Sequence, residues 1–192
     1  MVTCRRHNAE KLNKLAIEAL FGNKAPLVTL DGDIDSNPDN YINGEMRTDC
    51  RPRPSQVPIY KGMKLYITQN VIKEKDYVNG MLCTVEKVTK CGRKDVLRVL
   101  TKTGKRITIT PWTDREHQNV NYYPIRPGYA STIHKVQGDE FKFIIIWLDM
   151  PGMPAAGYTA LSRVSYASDY LIGGVMTPLH FVPANYRGPR AT

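Results

Sequence analysis

The sequence predicts an α/β domain built on a parallel sheet and interrupted by a small all-β insertion. Two patterns predict it. From Ala130 to Met176 the chain reads strand, glycine turn, strand, helix, strand, the order of a parallel sheet with crossover connections. Between Met63 and Thr110, four short segments alternate apolar and polar residues at period two and are separated by glycine turns, as in a small barrel. Length sets the ceiling: 192 residues with 42% hydrophobic content bury one core and a satellite, but not two full α/β domains of this kind.

Along the chain, Asn8 to Phe21 is predicted as an amphipathic helix, because Ala9, Leu12, Leu15, Ala16, Ile17, Ala19 and Leu20 crowd one side and Gly22-Asn23 supplies a stop. A short apolar run, Ala25 to Leu30, follows. Asp31 to Pro58, rich in Asp, Asn, Pro and Arg, has neither helical nor strand periodicity and is expected as a long surface excursion. The predicted barrel strands are Met63 to Thr68, Met81 to Val88, Val96 to Thr101 and Arg106 to Thr110, with turns at Asn79-Gly80, Gly92 and Gly104. The α/β pattern then resumes with a strand from Ala130 to His134, a turn at Gly138, a strand from Phe143 to Asp149, a helix from Ala155 to Val164 and a closing strand from Leu171 to Met176.

Composition narrows the function classes. A formal net charge of +9 and a pI near 9.4 favour a polyanionic partner, since clustered cations gain free energy by releasing counterions from phosphates. Nucleic acid comes first and an anionic membrane surface second. The longest apolar run, Phe143 to Leu148, is far short of the roughly 20 residues that span a bilayer. The N-terminus, Met1-Val2-Thr3-Cys4-Arg5-Arg6, lacks an apolar secretory core. A soluble, intracellular protein is expected. Cys4, Cys50, Cys83 and Cys91 form no C-x-x-C pair, and His7, His117, His134 and His180 do not stand at metal-ligand spacing, so no zinc site is predicted and free thiols are the expected state.

Two segments carry chemistry. In Tyr129-Ala130-Ser131-Thr132-Ile133-His134-Lys135-Val136-Gln137-Gly138-Asp139-Glu140-Phe141, hydroxyls, an imidazole, a lysine and an amide gather beside a glycine at a strand end, where open α/β sheets bind ligands. Such groups bind phosphates through side chains and exposed backbone N–H; an ordinary polar turn that ends a strand fits the same residues. In Gly157-Tyr158-Thr159-Ala160-Leu161-Ser162-Arg163-Val164, one arginine stands amid small and apolar neighbours. It is either a snorkelling surface residue or a fixed guanidinium aimed at a transferring phosphate.

Taken together and in order, the two segments resemble the C-terminal half of superfamily 1 helicases, in particular the 5′-to-3′ RecD-like and PIF-type DNA helicases of superfamily 1B. Thr132 to Gly138 looks like their motif V and Tyr158 to Val164 like their motif VI. Arg6 with Leu12-Asn13 is similar to motif IV, and Asn70 with Val78-Asn79-Gly80 resembles the entry to their SH3-like insert. The resemblance covers most of the chain, weakly over 31–58 and after 180. It implies a second RecA-like (P-loop NTPase-type) domain over 1–59 and 116–192 and an SH3-like β-barrel inserted over 60–115.

The resemblance also implies roles. Arg163 matches the motif VI arginine that stabilises charge on the γ-phosphate during phosphoryl transfer. Gln137, Gly138 and Glu140 match the end of motif V that approaches the nucleotide, while Thr132, His134 and the adjoining Lys135 fall where single-stranded DNA is contacted. Arg6, with Arg5 as its rival, would be a second γ-phosphate contact. On the insert, Asn79, Lys61, Lys64 and Lys105, with Lys73, Lys75, Lys102 and Arg106, are candidates to track phosphates, and Tyr66 and Tyr77 to stack on bases; exposed lysines on edge strands also prevent aggregation. The implied cofactors are ATP and Mg2+, shared with an N-terminal RecA-like domain acting in cis or in trans. The implied partner is single-stranded DNA, with RNA not distinguished.

The sequence departs from the family pattern in one respect. No stretch matches the G-x-x-x-x-G-K-[ST] phosphate loop: Gly92-Arg93-Lys94 and Gly104-Lys105-Arg106 lack both the upstream glycine and the following Ser or Thr. Negligible ATPase and no unwinding are therefore expected of this chain alone. The alternative is a non-enzymatic nucleic-acid binding module, which explains the charge equally well but not the order of the two motifs.

Overall fold

Val2 and Thr3 are a strand (β1) inside a parallel sheet in the computed structural model, which describes residues 1–42 and 44–184. By contact the chain divides into two compact units. One comprises Met1–Ala16 and the chain from Tyr129 onward; the other is Ile17–Gly128.

In the first unit β1 pairs in parallel with β13 (Ser131–Thr132) and with β14 (Ile144–Trp147), and β14 pairs in parallel with β15 (Tyr170–Ile172), giving the order β13-β1-β14-β15. The α/β class with a parallel sheet stands as predicted. Its core gathers Val2, Cys4, Ile133, Val136, Ile144, Ile146, Leu148, Ala156 and Ala160. A continuous β-branched run, Ile144-Ile145-Ile146, suits a strand with a neighbour on each side.

Several bounds differ from expectation, each for a local reason. The first helix, α1 (Arg6–Phe21), starts two residues earlier than its apolar periodicity indicates, because a carboxylate from elsewhere in the chain, Asp149, satisfies the N–H groups at its entry. The strand at Ser131 stops at Thr132 instead of running to His134: Ile133 and Val136, three apart, are both buried, and the chain turns into a 3-10 helix over Ile133–Val136 to bury them. Helix α2 is confined to Ala156–Leu161. Beyond it Arg163 and Val164 donate to carbonyls three residues back, Ala160 and Leu161, so the last turn tightens out of α geometry. The closing strand covers Tyr170–Ile172, not Leu171 to Met176.

In the second unit, β6 (Lys64–Ile67), β7 (Leu82–Cys91), β8 (Lys94–Thr101), β9 (Arg106–Ile109) and β12 (Ile125–Pro127) make a five-stranded antiparallel sheet of order β12-β6-β7-β8-β9. Leu65, Ile67, Cys83, Val85, Leu97, Val99, Ile107 and Ile109 are buried along it, the inward half of the alternation read from sequence. The register shifts between Val85 and Lys87, a bulge that bends β7. A hairpin of β10 (Trp112–Asp114) and β11 (Val120–Tyr122) follows β9, burying Val120 and Tyr122 with Ile34.

The stretch expected as a surface excursion is packed at its two ends, while most described residues of 42–51 are exposed as expected. Ser55–Ile59 forms β5, antiparallel to β2 (Val28–Gly32) along five residue pairs, and β3 (Tyr41–Ile42) pairs with β4 (Glu45–Met46). Ile34, Asn40, Val57 and Ile59 are buried. Asn40 replaces apolar periodicity as the organiser: its amide nitrogen donates to the carbonyls of Ile34 and Arg53, each at 2.8 Å, and its oxygen accepts from the N–H of Arg53. Phe21 and Tyr60 stack at 4.7 Å, which fixes the end of α1 within this unit.

Candidate functional site

Parallel register brings three strand ends together. Thr3 is opposite both Thr132 and Trp147, so the residues after each strand, Cys4 to Arg6, Ile133 to Glu140 and Leu148 to Met150, leave the carboxyl edge of the sheet side by side. This edge is where open α/β sheets place ligand chemistry.

Asp149 locks the edge. Its Oδ1 accepts from Thr3 Oγ1 at 2.7 Å, from the N–H of Cys4 at 2.7 Å and from that of Arg5 at 3.2 Å, while Oδ2 accepts from the side-chain amide of Asn8. Burial opposes the charge of this carboxylate, but the hydrogen bonds from Thr3, Asn8 and Cys4 outweigh it and hold its pKa below the ordinary value. Sequence reading passed over Asp149, which was only the last residue of a predicted strand. Asn13 fastens the other side: buried in α1, it donates to the carbonyl of Ala130 at 2.9 Å and accepts from the N–H groups of Tyr129 and Ala130 at 3.0 and 2.8 Å.

The two chemistry-bearing segments meet. Arg163 donates from Nη1 to the carbonyl of Asp139 at 3.3 Å, from Nε to that of Thr159 at 3.1 Å and from Nη2 to Ser162 Oγ at 2.8 Å, and its own carbonyl accepts from the N–H of Phe141 at 2.9 Å. These three acceptors are neutral oxygens, so the bonds orient the guanidinium without cancelling its charge. Gln137, Gly138 and Glu140 are exposed on the turn that Arg163 grips. Gly138 has φ +91°, the left-handed region, and a Cβ there would meet nothing within 4 Å, so the glycine serves the turn's backbone path and leaves its surface open.

His134 and Lys135 are exposed on the 3-10 turn, and Thr132 is half-buried beneath them. Arg6 is exposed at the first residue of α1. The remaining candidates belong to the second unit. Asn79 is exposed, its N–H donating to Asn70 Oδ1 at 2.9 Å. Lys61 and Lys64 are exposed, Lys64 donating to Thr84 Oγ1 at 2.7 Å. Lys105 is engaged within the unit, 3.3 Å from Asp76 Oδ1 and 3.1 Å from the carbonyl of Glu74.

The stacking role expected of two tyrosines is overturned. Tyr66 and Tyr77 are only 8% and 7% exposed; Tyr66 faces the Arg126 guanidinium at 5.3 Å and burial pushes the Tyr77 hydroxyl pKa up. Tyr66 lies in β6, where three consecutive residues from Leu65 to Ile67 are buried, and Tyr77 bridges Ile72 outside any strand; a phenol ring so buried packs as core. Among the described residues no helix is long and apolar enough to cross a membrane, and no cluster of three or more His, Cys, Asp or Glu is placed to hold a metal ion. Cys4 and Cys83 are buried free thiols, and Cys50 and Cys91 exposed ones.

No family model and no curated protein sequence matches the chain. Solved structures do. The chain is similar to the Pif1 helicase from Bacteroides in complex with ADP-AlF3 and single-stranded DNA, with TM-score 0.68 and 21% identity over 95% of this chain and 42% of that one. The same helicase bound to single-stranded DNA alone gives 0.67 at 21% over the same shares. The Pif1 helicase from Candida albicans gives 0.63 at 14%, over 94% of this chain and 47% of that one. The shared fold is that of a RecA-like domain, and this chain spans less than half the length of the helicases it matches.

Proposed function

We propose that this chain is the C-terminal motor portion of an ATP-dependent DNA helicase, with a second RecA-like domain around the parallel sheet and an SH3-like barrel supplied by the antiparallel sheet of the second unit. One observation carries the reading. Arg163 is oriented by its own segment and held to the Gln137 to Phe141 turn at the carboxyl edge of a parallel sheet, in a fold shared with Pif1 helicases that were solved with a nucleotide analogue and single-stranded DNA.

In this reading Arg163 presents its charge to the γ-phosphate of ATP, where it stabilises the negative charge that develops in transfer. Gln137 and Glu140 flank that contact, Gly138 lets the backbone approach, and Arg6 adds a second cation from the start of α1. Asp149 and Asn13 act as positioning residues, holding the entry to α1 that leads into Arg6 and the segment before β13 that leads into Thr132. The donors fit an anion; the acidic ligands for Mg2+ and the phosphate loop fall to an N-terminal RecA-like domain in cis or trans. ATP and Mg2+ supply the phosphoryl transfer that drives translocation when bound between the two. Thr132, His134 and Lys135 are the single-strand contacts of this unit, and Asn79, Lys61, Lys64 and Lys105 those of the barrel.

A second reading, a nucleic-acid binding module without ATP chemistry, is favoured by the three bonds that tie Arg163 within its own unit, which also suit a purely structural arginine. Arg163→Ala separates the two. In a motor reconstituted with a phosphate-loop domain, the helicase reading gives a loss of DNA-stimulated ATPase of about 1,000-fold or more with single-strand affinity within a few-fold of the parent. Unchanged ATPase in that variant would sink it.

A further inference from the structure

The segment with the weakest family resemblance holds a cleft of about 520 Å³, lined by Arg47, Arg51, Arg53, Tyr41, Cys50 and Asp39 and by the buried Asn40. Its arginines are mounted on a polar frame. Asn40 accepts from the N–H of Arg53 and donates to its carbonyl, each at 2.8 Å, and the carbonyl of Asn40 accepts from the N–H of Arg47 at 2.8 Å. Arg51 donates to the carbonyl of Asn119 at 2.9 Å, and Asn37 braces the carbonyls of Arg53 and Pro54. Outside the lining, Asp49 answers Arg47 at 2.6 Å and Asp35 accepts from the Tyr41 hydroxyl at 3.1 Å; the lining itself carries Arg47, Arg51 and Arg53 against the single carboxylate of Asp39. The volume lies in the range of small-molecule clefts, roughly 300–1,000 Å³, well beyond a single ion.

We propose that this arginine cleft seats consecutive phosphates of a nucleic-acid strand, as a backbone subsite of the second unit separate from the motif-bearing sheet edge. Planar guanidiniums on a fixed backbone suit phosphate oxygens, which they meet two N–H groups at a time, and such contacts hold a strand without reading its sequence. The inference rests on the reading above that the chain binds a nucleic-acid strand.

Cys50 makes the cleft testable, because its exposed thiol lines the cavity whereas the exposed Cys91 ends β7. The probes are an oligo-dT of about 20 nucleotides, longer than one small-barrel site, and inorganic pyrophosphate. The purified chain is alkylated with iodoacetamide with and without each probe, and labelling at Cys50 is read by mass spectrometry. Anisotropy across a salt series compares the parent with Arg47→Gln/Arg53→Gln and with Asp39→Asn. The inference predicts slowed Cys50 alkylation with the oligonucleotide but not with pyrophosphate. It also predicts a salt slope smaller by about 0.7 per arginine removed and binding tightened about two-fold by Asp39→Asn, a gain that misfolding would not produce. Oligonucleotide binding with Cys50 labelling and both variants unchanged overturns the cleft and leaves the nucleic-acid reading standing. Protection by pyrophosphate as strong as by the oligonucleotide makes it a free-anion site and overturns the strand. Absence of oligonucleotide binding by the parent at low salt removes the reading and the inference together.

Discussion

Arg163 Nη1 donates to the backbone carbonyl of Asp139 at 3.3 Å, and the backbone carbonyl of Arg163 accepts in return from Phe141 at 2.9 Å. A side chain and a main chain thus join two segments more than 20 residues apart and put the guanidinium beside the exposed Gln137-Gly138 turn. On the helicase reading proposed above, changes that loosen this junction lower the ATPase of a reconstituted motor before they weaken single-strand binding.

Asn13 anchors the entry to β13. Its one buried amide serves three main-chain groups of Tyr129 and Ala130, and Asn13→Ala removes those three hydrogen bonds. Urea unfolding is expected to register a loss of about 2–3 kcal/mol, larger than for Asn8→Ala at the edge of the same helix.

Asp149 gives the first unit an acid limit. Its carboxyl pKa is depressed in the folded chain, so its stabilisation is complete above the unfolded-state value, about 3.9 for Asp, and is lost as pH falls through the lower folded value. Thermal melts from neutral pH downward should show the parent losing stability on acidification more steeply than Asp149→Asn. Parallel acid limbs for the two proteins would refute the assignment.

Much of this was legible in the sequence. Period-two alternation located β6 to β9 within a few residues, and the run Ile144 to Trp147 announced its strand. Val2–Thr3 was not legible: two residues carry no periodicity, yet they are an interior strand of the parallel sheet. β5 and the packing of 31–58 were hidden for a different reason, since Asn37 and Asn40 organise that stretch by side-chain bonds to backbone that no hydrophobic pattern records. At the candidate site, Arg163 and the Gln137-Gly138 turn stood out by residue type and order. Asp149 did not, because its role depends on strands that meet only in three dimensions.

Gly157 tests the packing behind Arg163. A Cβ there would stand 2.7 Å from the carbonyl oxygen of His180 and from the ring of Phe181, so Gly157→Ala must displace α2 from the segment Pro178–Phe181. Overpacking of this kind costs about 1–3 kcal/mol, and the urea midpoint should fall accordingly. A midpoint equal to the parent's would mean that α2 shifts without resistance.

Of the exposed lysines of the second unit, Lys105 is held by Asp76 and the carbonyl of Glu74, and Lys61 stands at the turn before β6. Moving Lys105 onto a phosphate requires giving up those contacts. Lys61→Ala is therefore expected to weaken single-strand binding and lower its salt slope by about 0.7, and Lys105→Ala to do so by less. The reverse order, read by anisotropy, would place the strand along the Lys105 hairpin.

Half of a motor, with its arginine acting on a nucleotide held by another domain, leaves a plain signature in ATP hydrolysis by the purified 192-residue chain. The assay is run with and without single-stranded DNA, alongside anisotropy across a salt series. Salt-sensitive DNA binding with no hydrolysis above background is the expected result. DNA-stimulated hydrolysis abolished by Arg163→Ala would contradict it, since the chain would then hold a complete nucleotide site of its own.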